Sequence, residues 1–233
     1  MQPYFFPYIG YFQLIHAVDH FVLYDDVTFI KGGWINRNRI LSENHNDSQL
    51  FGISLIGASS NRLIKDILFV KKDWKRLLGS LHQNYRKAPY FEMVYNLIKI
   101  ISENNEAETI TELNLFIFKV ICEYCTITTP IYRSSELNIY NDNRVGRLAD
   151  ICKHFDCEEY VNAAGGEKLY TAREFKEQDI ELRLIETMSP AKLYKQYGGG
   201  TVPNLSIIDV LMFNSISEIR SLMNCYYLRQ LWN

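Results

Sequence analysis

Residues 1–26 read MQPYFFPYIGYFQLIHAVDHFVLYDD, and the fold turns on this stretch. Met1 to Phe6 is short and apolar, Pro7 and Gly10 punctuate it, and Tyr11 to Val18 fits two helical turns. Phe21 to Tyr24 is then an apolar run closed by Asp25 and Asp26, the pattern of a buried strand. Strand, tight loop, helix and strand open an α/β unit. The loop delivers the chain to a helix N-terminus, where backbone N–H groups suit an anion. That makes Gln2, Tyr4, Tyr8, Gly10 and Tyr11 candidate ligand contacts, against the plainer reading of a Pro-stiffened turn packed with aromatics.

The alternation returns downstream. Trp34–Leu41 and Leu50–Ile56 are weakly strand-like. Pro89 opens a helix carrying Phe91, Val94, Leu97, Ile98 and Ile101 on one face. Thr109 and Glu112 form a capping-box pattern ahead of Leu113, Phe116, Ile117, Val120 and Ile121. Residues 72–125 therefore read as a helical insertion or lid. Ile127–Tyr132, Tyr160–Val161 and Ile180–Ile185 are strand candidates. Val145, Leu148, Ile151, Cys152 and Phe155 mark a helix, Thr171 with Glu174 caps the next, and Ser206 with Asp209 caps the last. The whole, 1–233, is predicted to be one α/β domain on a mainly parallel sheet.

Composition narrows the function. With 47% hydrophobic and 22% charged residues, disorder and disulfide-dense scaffolds are excluded. The net charge of −2 gives no global basic field for nucleic acid or membrane. No apolar run approaches ~18 residues, so no membrane insertion is expected. The apolar N-terminus is a poor signal peptide, because Lys31 is the first basic residue and Pro3, Pro7 and Gln13 interrupt the run. Five cysteines, an odd number, suit free thiols in a reducing cytoplasm. Cys122 and Cys125 form a CxxC, but on an apolar helical face, and His16 with His20 lacks a zincin glutamate, so no metal site is expected.

Four stretches could carry chemistry. Asp25 and Asp26 at a strand end suit a general base, or a magnesium site. Lys31, Trp34, Arg37 and Arg39 follow; the two arginines share one face of a strand and suit phosphate or carboxylate. Gln196, Gly198, Gly199 and Asn204 lie in a glycine-rich loop before a helix N-terminus, where a ligand can approach the backbone. Asn162 precedes a Gly pair at the end of a strand, on the ligand side of a parallel sheet. The bland readings are a solvated edge strand with a local ion pair and plain loops; a capping box alone accounts for Ser206 and Asp209. Residues 59–92 add eight Lys and Arg against three Asp and Glu, enough to attract a polyanion, or merely a solvated face.

QPYFFPYIGYFQL at 2–14, FVLYDDVTFIKGGWINRNRI at 21–40, YRKAPYF at 85–91 and PNLSIIDVLMFN at 203–214 occur in the order found in the WbqC-like protein family, which the chain resembles over nearly its whole length. In that family a few apolar residues precede the Gln-Pro pair and build a first strand, so the first strand is expected to be incomplete here. The resemblance implies a part in bacterial surface-polysaccharide (O-antigen-type) assembly: a cytoplasmic transferase acting on a nucleotide-linked sugar, with amino-acid (glycine) transfer onto an amino sugar as one form. The alternative is a non-catalytic nucleotide- or sugar-binding module in a glycan-assembly complex. It names no cofactor, and nucleic acid is not expected except tRNA as an amino-acid donor. A second, architectural likeness is to Rossmann-like, nucleotidylyltransferase-like folds, although Tyr8-Ile9-Gly10-Tyr11 stands where those carry HxGH. Because loops at the strand C-termini of a parallel α/β sheet converge, Gln2, Tyr11, Asp25, Asp26, Lys31, Arg37, Arg39, Gln196 and Asn204 are expected to line one cleft, flanked by Gly10 and Gly198.

Overall fold

The computed structural model describes residues 1–104, 106–188 and 194–231. In chain order the elements are α1 (Ile9–His16), β1 (Phe21–Leu23), β2 (Arg37–Leu41), β3 (Ser48–Gly52), β4 (Leu55–Ile56), β5 (Leu68–Phe69), α2 (Asp73–Tyr85), α3 (Phe91–Asn104), α4 (Ile110–Tyr124), β6 (Ile131–Arg133), α5 (Arg144–His154), β7 (Glu159–Ala163), α6 (Ala172–Lys176), β8 (Glu181–Thr187), α7 (Ile207–Phe213), α8 (Ile216–Met223) and β9 (Tyr226–Gln230). The protein is mixed α/β.

The expected single central sheet is not what these strands form. β1 pairs with β6 in parallel, β2 with β3 and β4 with β5 antiparallel, and β7, β8 and β9 make a three-stranded sheet in which β7 and β8 are parallel. The reason lies at the N-terminus. Only Met1 behaves as strand: its amine donates to Val22 O (2.8 Å) and its carbonyl accepts from Tyr24 N (2.7 Å), the pattern of a parallel ladder. Pro3 has no N–H to continue it. Phe6 then adopts a left-handed φ of 40°, so 3–8 is a loop and not the expected strand.

Between β1 and β7 this leaves a groove of about 480 Å³, walled by Val18, Phe21, Val22, Ile151, Phe155 and Tyr160, with Met1 in it. His20, just ahead of β1, stacks on Phe155, shortly ahead of β7, at 4.6 Å, so the two strands start close together.

Packing explains the helices. Seven of the eight residues of α1 are buried, which makes it a core helix rather than an amphipathic cover. The capping boxes at Thr109/Glu112 and Thr171/Glu174 form. The one expected at Ser206/Asp209 does not: Ser206 accepts from Ile208 N, while the Asp209 carboxylate turns into the core. The last helix breaks in two, because a further capping box, Ser215 with Glu218, restarts it as α8. Helices α2–α4 contribute Leu77, Leu81, Val94, Ile98, Leu113 and Ile117 to the same buried core as α1 and α7. A smaller core lies under α5, α6 and β7–β8, around Leu148, Phe175, Leu182 and Leu184.

Candidate functional site

The carboxyl ends of the parallel strands gather the polar side chains. After β1 come Tyr24, Asp25 and Asp26; after β6 come Ser134 and Ser135. Asp25 is fully buried, with Oδ1 accepting from Ser135 N (3.1 Å) and Oδ2 from Ser135 Oγ (3.0 Å). Ser134 Oγ accepts from Asp25 N (3.1 Å) and gives its single proton to Asp26 Oδ1 (2.6 Å). Asp26 Oδ2 meets Arg147 Nη2 at 2.5 Å, both side chains being only 11% exposed. Burial alone would raise the Asp26 pKa, but the Arg147 and Ser134 hydrogen bonds outweigh it and hold the carboxyl below its ordinary value. A carboxylate held ionised in this way is a weak proton acceptor. Both aspartates are occupied by the protein's own donors.

Arg144 and Arg147 lie one helical turn apart at the start of α5, on one face. Arg147 sits over the Tyr24 ring (4.9 Å to the centroid) and Arg144 over the Tyr170 ring (4.7 Å). The loop after β7 therefore reaches the same edge as the loop after β1.

Further along that edge, Gly10 is pressed between elements. A Cβ there would lie 2.3 Å from the Tyr8 ring and 2.5 Å from Thr187 Oγ1 at the end of β8, so only glycine fits. The N-cap of α1, Tyr8, gives no side-chain hydrogen bond to the first-turn amides. Tyr4 lies beside Tyr8, with burial raising both phenol pKa values. Gln2 accepts from Tyr11 OH (2.6 Å) through its carbonyl; Tyr11 is buried and its pKa lies well above ordinary through burial, so its hydroxyl fixes the loop rather than facing solvent. Asn162, nearly buried at the end of β7, accepts from Ala163 N (2.8 Å) and packs against Gly166.

The other candidates have partners of their own. Arg37 donates to Gly33 O (3.1 Å) and Gly32 O (2.5 Å) of its own turn, Arg39 is exposed above Trp34 (5.7 Å), and Lys31 is exposed. The ion partner of Asp26 is Arg147 and not Arg37. Gly198 (φ 66°), Gly199 (φ 77°) and Asn204 (φ 58°) supply left-handed turns. Gln196, nearly buried, donates to Asp209 Oδ2 (2.6 Å), which also accepts from Tyr194 OH (2.6 Å); Oδ1 accepts from Tyr85 OH (2.8 Å). The loop Pro3–Tyr8 is fixed from this side. Asn38 Nδ2 donates to Phe6 O (2.9 Å), as does Ser206 Oγ (2.7 Å), and Ser206 N donates to Arg39 O (2.8 Å).

Asp209→Ala should cost about 3 kcal/mol, because it strands three buried donors at once. Burial raises the Asp209 pKa, so its folded form holds a proton more tightly than its unfolded form. Its contribution is therefore full below the ordinary carboxylate pKa and is lost as pH rises through the raised one. Urea unfolding of the variant against the parent, at neutral and mildly acidic pH, checks both statements.

Sequence reasoning missed Tyr24, Ser134, Ser135, Arg144, Arg147 and Tyr170. A usable signal was present: Asn143 as N-cap, followed by Arg144 and Arg147 one helical turn apart. Burial pushes the thiols of Cys122, Cys125 and Cys152 up to about 12, which leaves them unreactive. Among the described residues no three His, Cys, Asp or Glu converge as a metal site, and no helix is long and apolar enough to cross a membrane.

The fold is mixed α/β, and polar groups collect just past the carboxyl ends of the parallel pair β1 and β6. Comparison gives the relationship. The model of the WbqC-like protein family matches residues 2–221, and the chain belongs to that family. It is similar to the uncharacterized protein Rv1507c of Mycobacterium tuberculosis, with 30% identity over 219 residues, covering 94% of this chain and 93% of that protein. No solved structure matches.

Proposed function

We propose that the protein binds a nucleotide-linked sugar at this carboxyl edge and acts on it as a transferase of bacterial surface-polysaccharide assembly, amino-acyl transfer to an amino sugar being the form considered. One observation carries the binding: the paired Arg144 and Arg147 lie at this edge, flanked by Tyr24 and Tyr170. Guanidinium groups suit phosphates, and rings suit a base or sugar. Asp25 and Asp26 then hold the edge together and a proton-accepting role passes from them to the ligand or to solvent. The occupied aspartates also favour the second reading, a non-catalytic binding module.

We also infer that the groove between β1 and β7 can seat one more strand alongside Met1. With it the order in space becomes β6, β1, new strand, β7, β8, β9, which is 3-2-1-4-5-6 in chain order, the Rossmann-like arrangement. The crevice at its switch point would open beside Gln2, Gly10 and Asn162.

The test is calorimetry with a panel of nucleotide-linked amino sugars, followed by incubation with activated amino-acyl donors and mass spectrometry. Binding with a sugar mass shift supports the transferase. Binding without one leaves the module, and no binding by any member rejects both. Arg144→Ala should weaken binding about tenfold or more.

A further inference from the structure

A basic stretch of the chain adjoins exposed aliphatic side chains. Residues 59–92 carry eight Lys and Arg against three Asp and Glu, so the remaining chain carries 17 against 24. The cations share their face with bare aliphatic side chains. Ile56 and Leu68 are direct cross-strand partners in the β4–β5 ladder and are 51% and 41% exposed. Partners in such a ladder project to one side. Ile30, 54% exposed, is brought alongside by the Thr28–Leu63 bridge and by Phe29 N donating to Arg62 O (2.9 Å). Arg62 in turn donates to Gly57 O (3.3 Å), next to Ile56. Lys71 and Lys72 follow the ladder directly and Lys75 lies in the first turn of α2; all three are exposed and none has a carboxylate within ion-pair distance among the described residues.

We propose that this face docks on a lipid surface bearing anionic headgroups, with Ile30, Ile56 and Leu68 entering the interface and Arg62, Lys71, Lys72 and Lys75 meeting the headgroups. Cations beside aliphatic groups are what a peripheral membrane contact needs. A second copy of the chain is disfavoured because it would bring the same positive charge to the contact. Single-stranded nucleic acid would call for exposed rings to stack on, and here Trp74 is buried and Trp34 is half-buried beneath Arg39. The proposal is independent of the sugar-binding reading, since it uses none of the residues assigned to the sugar.

Co-sedimentation of the full chain with phosphatidylglycerol-rich and pure phosphatidylcholine vesicles, at low and high salt, tests it. Binding should be confined to the anionic vesicles and should fall as salt rises. The triple change K71E, K72E and K75E should weaken it about tenfold or more, and I56S with L68S should weaken it while leaving the salt dependence in place. Circular dichroism confirms that each variant is folded. Equal binding to both vesicle types, no binding to the anionic ones, parental binding by both variants, or displacement from vesicles by single-stranded RNA would overturn the proposal.

Discussion

A chain that starts at Met1 is expected to lose folding stability between pH 8 and pH 5, by up to about 4 kcal/mol, through the α-amine of that residue. Burial pushes that amine down from 8.0 to about 5 while it donates to Val22 O. The folded pKa is depressed, so the unfolded chain takes up the proton first as pH falls. The contribution is full above pH 8, shrinks by about 1.36 kcal/mol for each pH unit, and is gone below about pH 5. Urea unfolding at several pH values, on the parent and on chains extended ahead of Met1, isolates the effect. Any extension replaces the amine with an amide and should flatten the slope in this window. A short apolar, β-branched extension should in addition raise stability above that of a Gly-Ser extension of equal length, since only the former can seat against Phe21, Val22 and Tyr160. A slope that survives extension would assign the titration elsewhere. Equal stability of the two extended chains would remove the proposed strand, and with it the joined sheet.

Much of the architecture was legible because it rests on local patterns. The turn-closed apolar run of β1, the capping boxes at Thr109 and Thr171, and the alternation in β8 each follow from a few neighbouring residues. What escaped depends on distant partners. Phe6 is held left-handed by Asn38 and Ser206, residues 32 and 200 positions away, and no propensity announces that. Asp209 looked like a capping residue because Ser206 precedes it by three, yet Tyr85, Tyr194 and Gln196 supply stronger partners from the core. The candidate site divides in the same manner. Asp25 and Asp26, just past β1, and Asn162, near the end of β7, sit where the strand ends put them. Arg37 and Arg39 were grouped with Asp26 by closeness in sequence, whereas the cations that meet the edge come from α5, more than a hundred residues on.

Asp26→Ala should lower stability by about 3 kcal/mol, and Arg147→Met by a similar amount. The pair is nearly buried, and removing either member leaves the other charged, short of a partner and enclosed. Asp26→Ala also frees the Ser134 proton, and Arg147→Met also strips the cation from the Tyr24 ring. The double variant should recover part of the loss, because no unpaired charge remains; a double-mutant cycle by urea unfolding measures this. The pH dependence has a definite sign. The folded Asp26 pKa is depressed, so the pair contributes fully above the ordinary carboxylate pKa and is lost as pH falls through the lower, folded one. The parent should therefore show a steeper acid limb than the Asp26→Ala chain. This sets a condition on reading the site by mutation. A loss of ligand binding in Asp26→Ala or Arg147→Met would carry a stability change with it and could not assign a contact. Arg144 is exposed and stacked on Tyr170, and its replacement by Ala should cost under about 1 kcal/mol. If Arg144→Ala keeps the parental unfolding midpoint and still loses the nucleotide-linked sugar, the edge is a ligand site. If additive costs appear for Asp26 and Arg147, with no recovery in the double variant, the ion pair is not what holds that edge together.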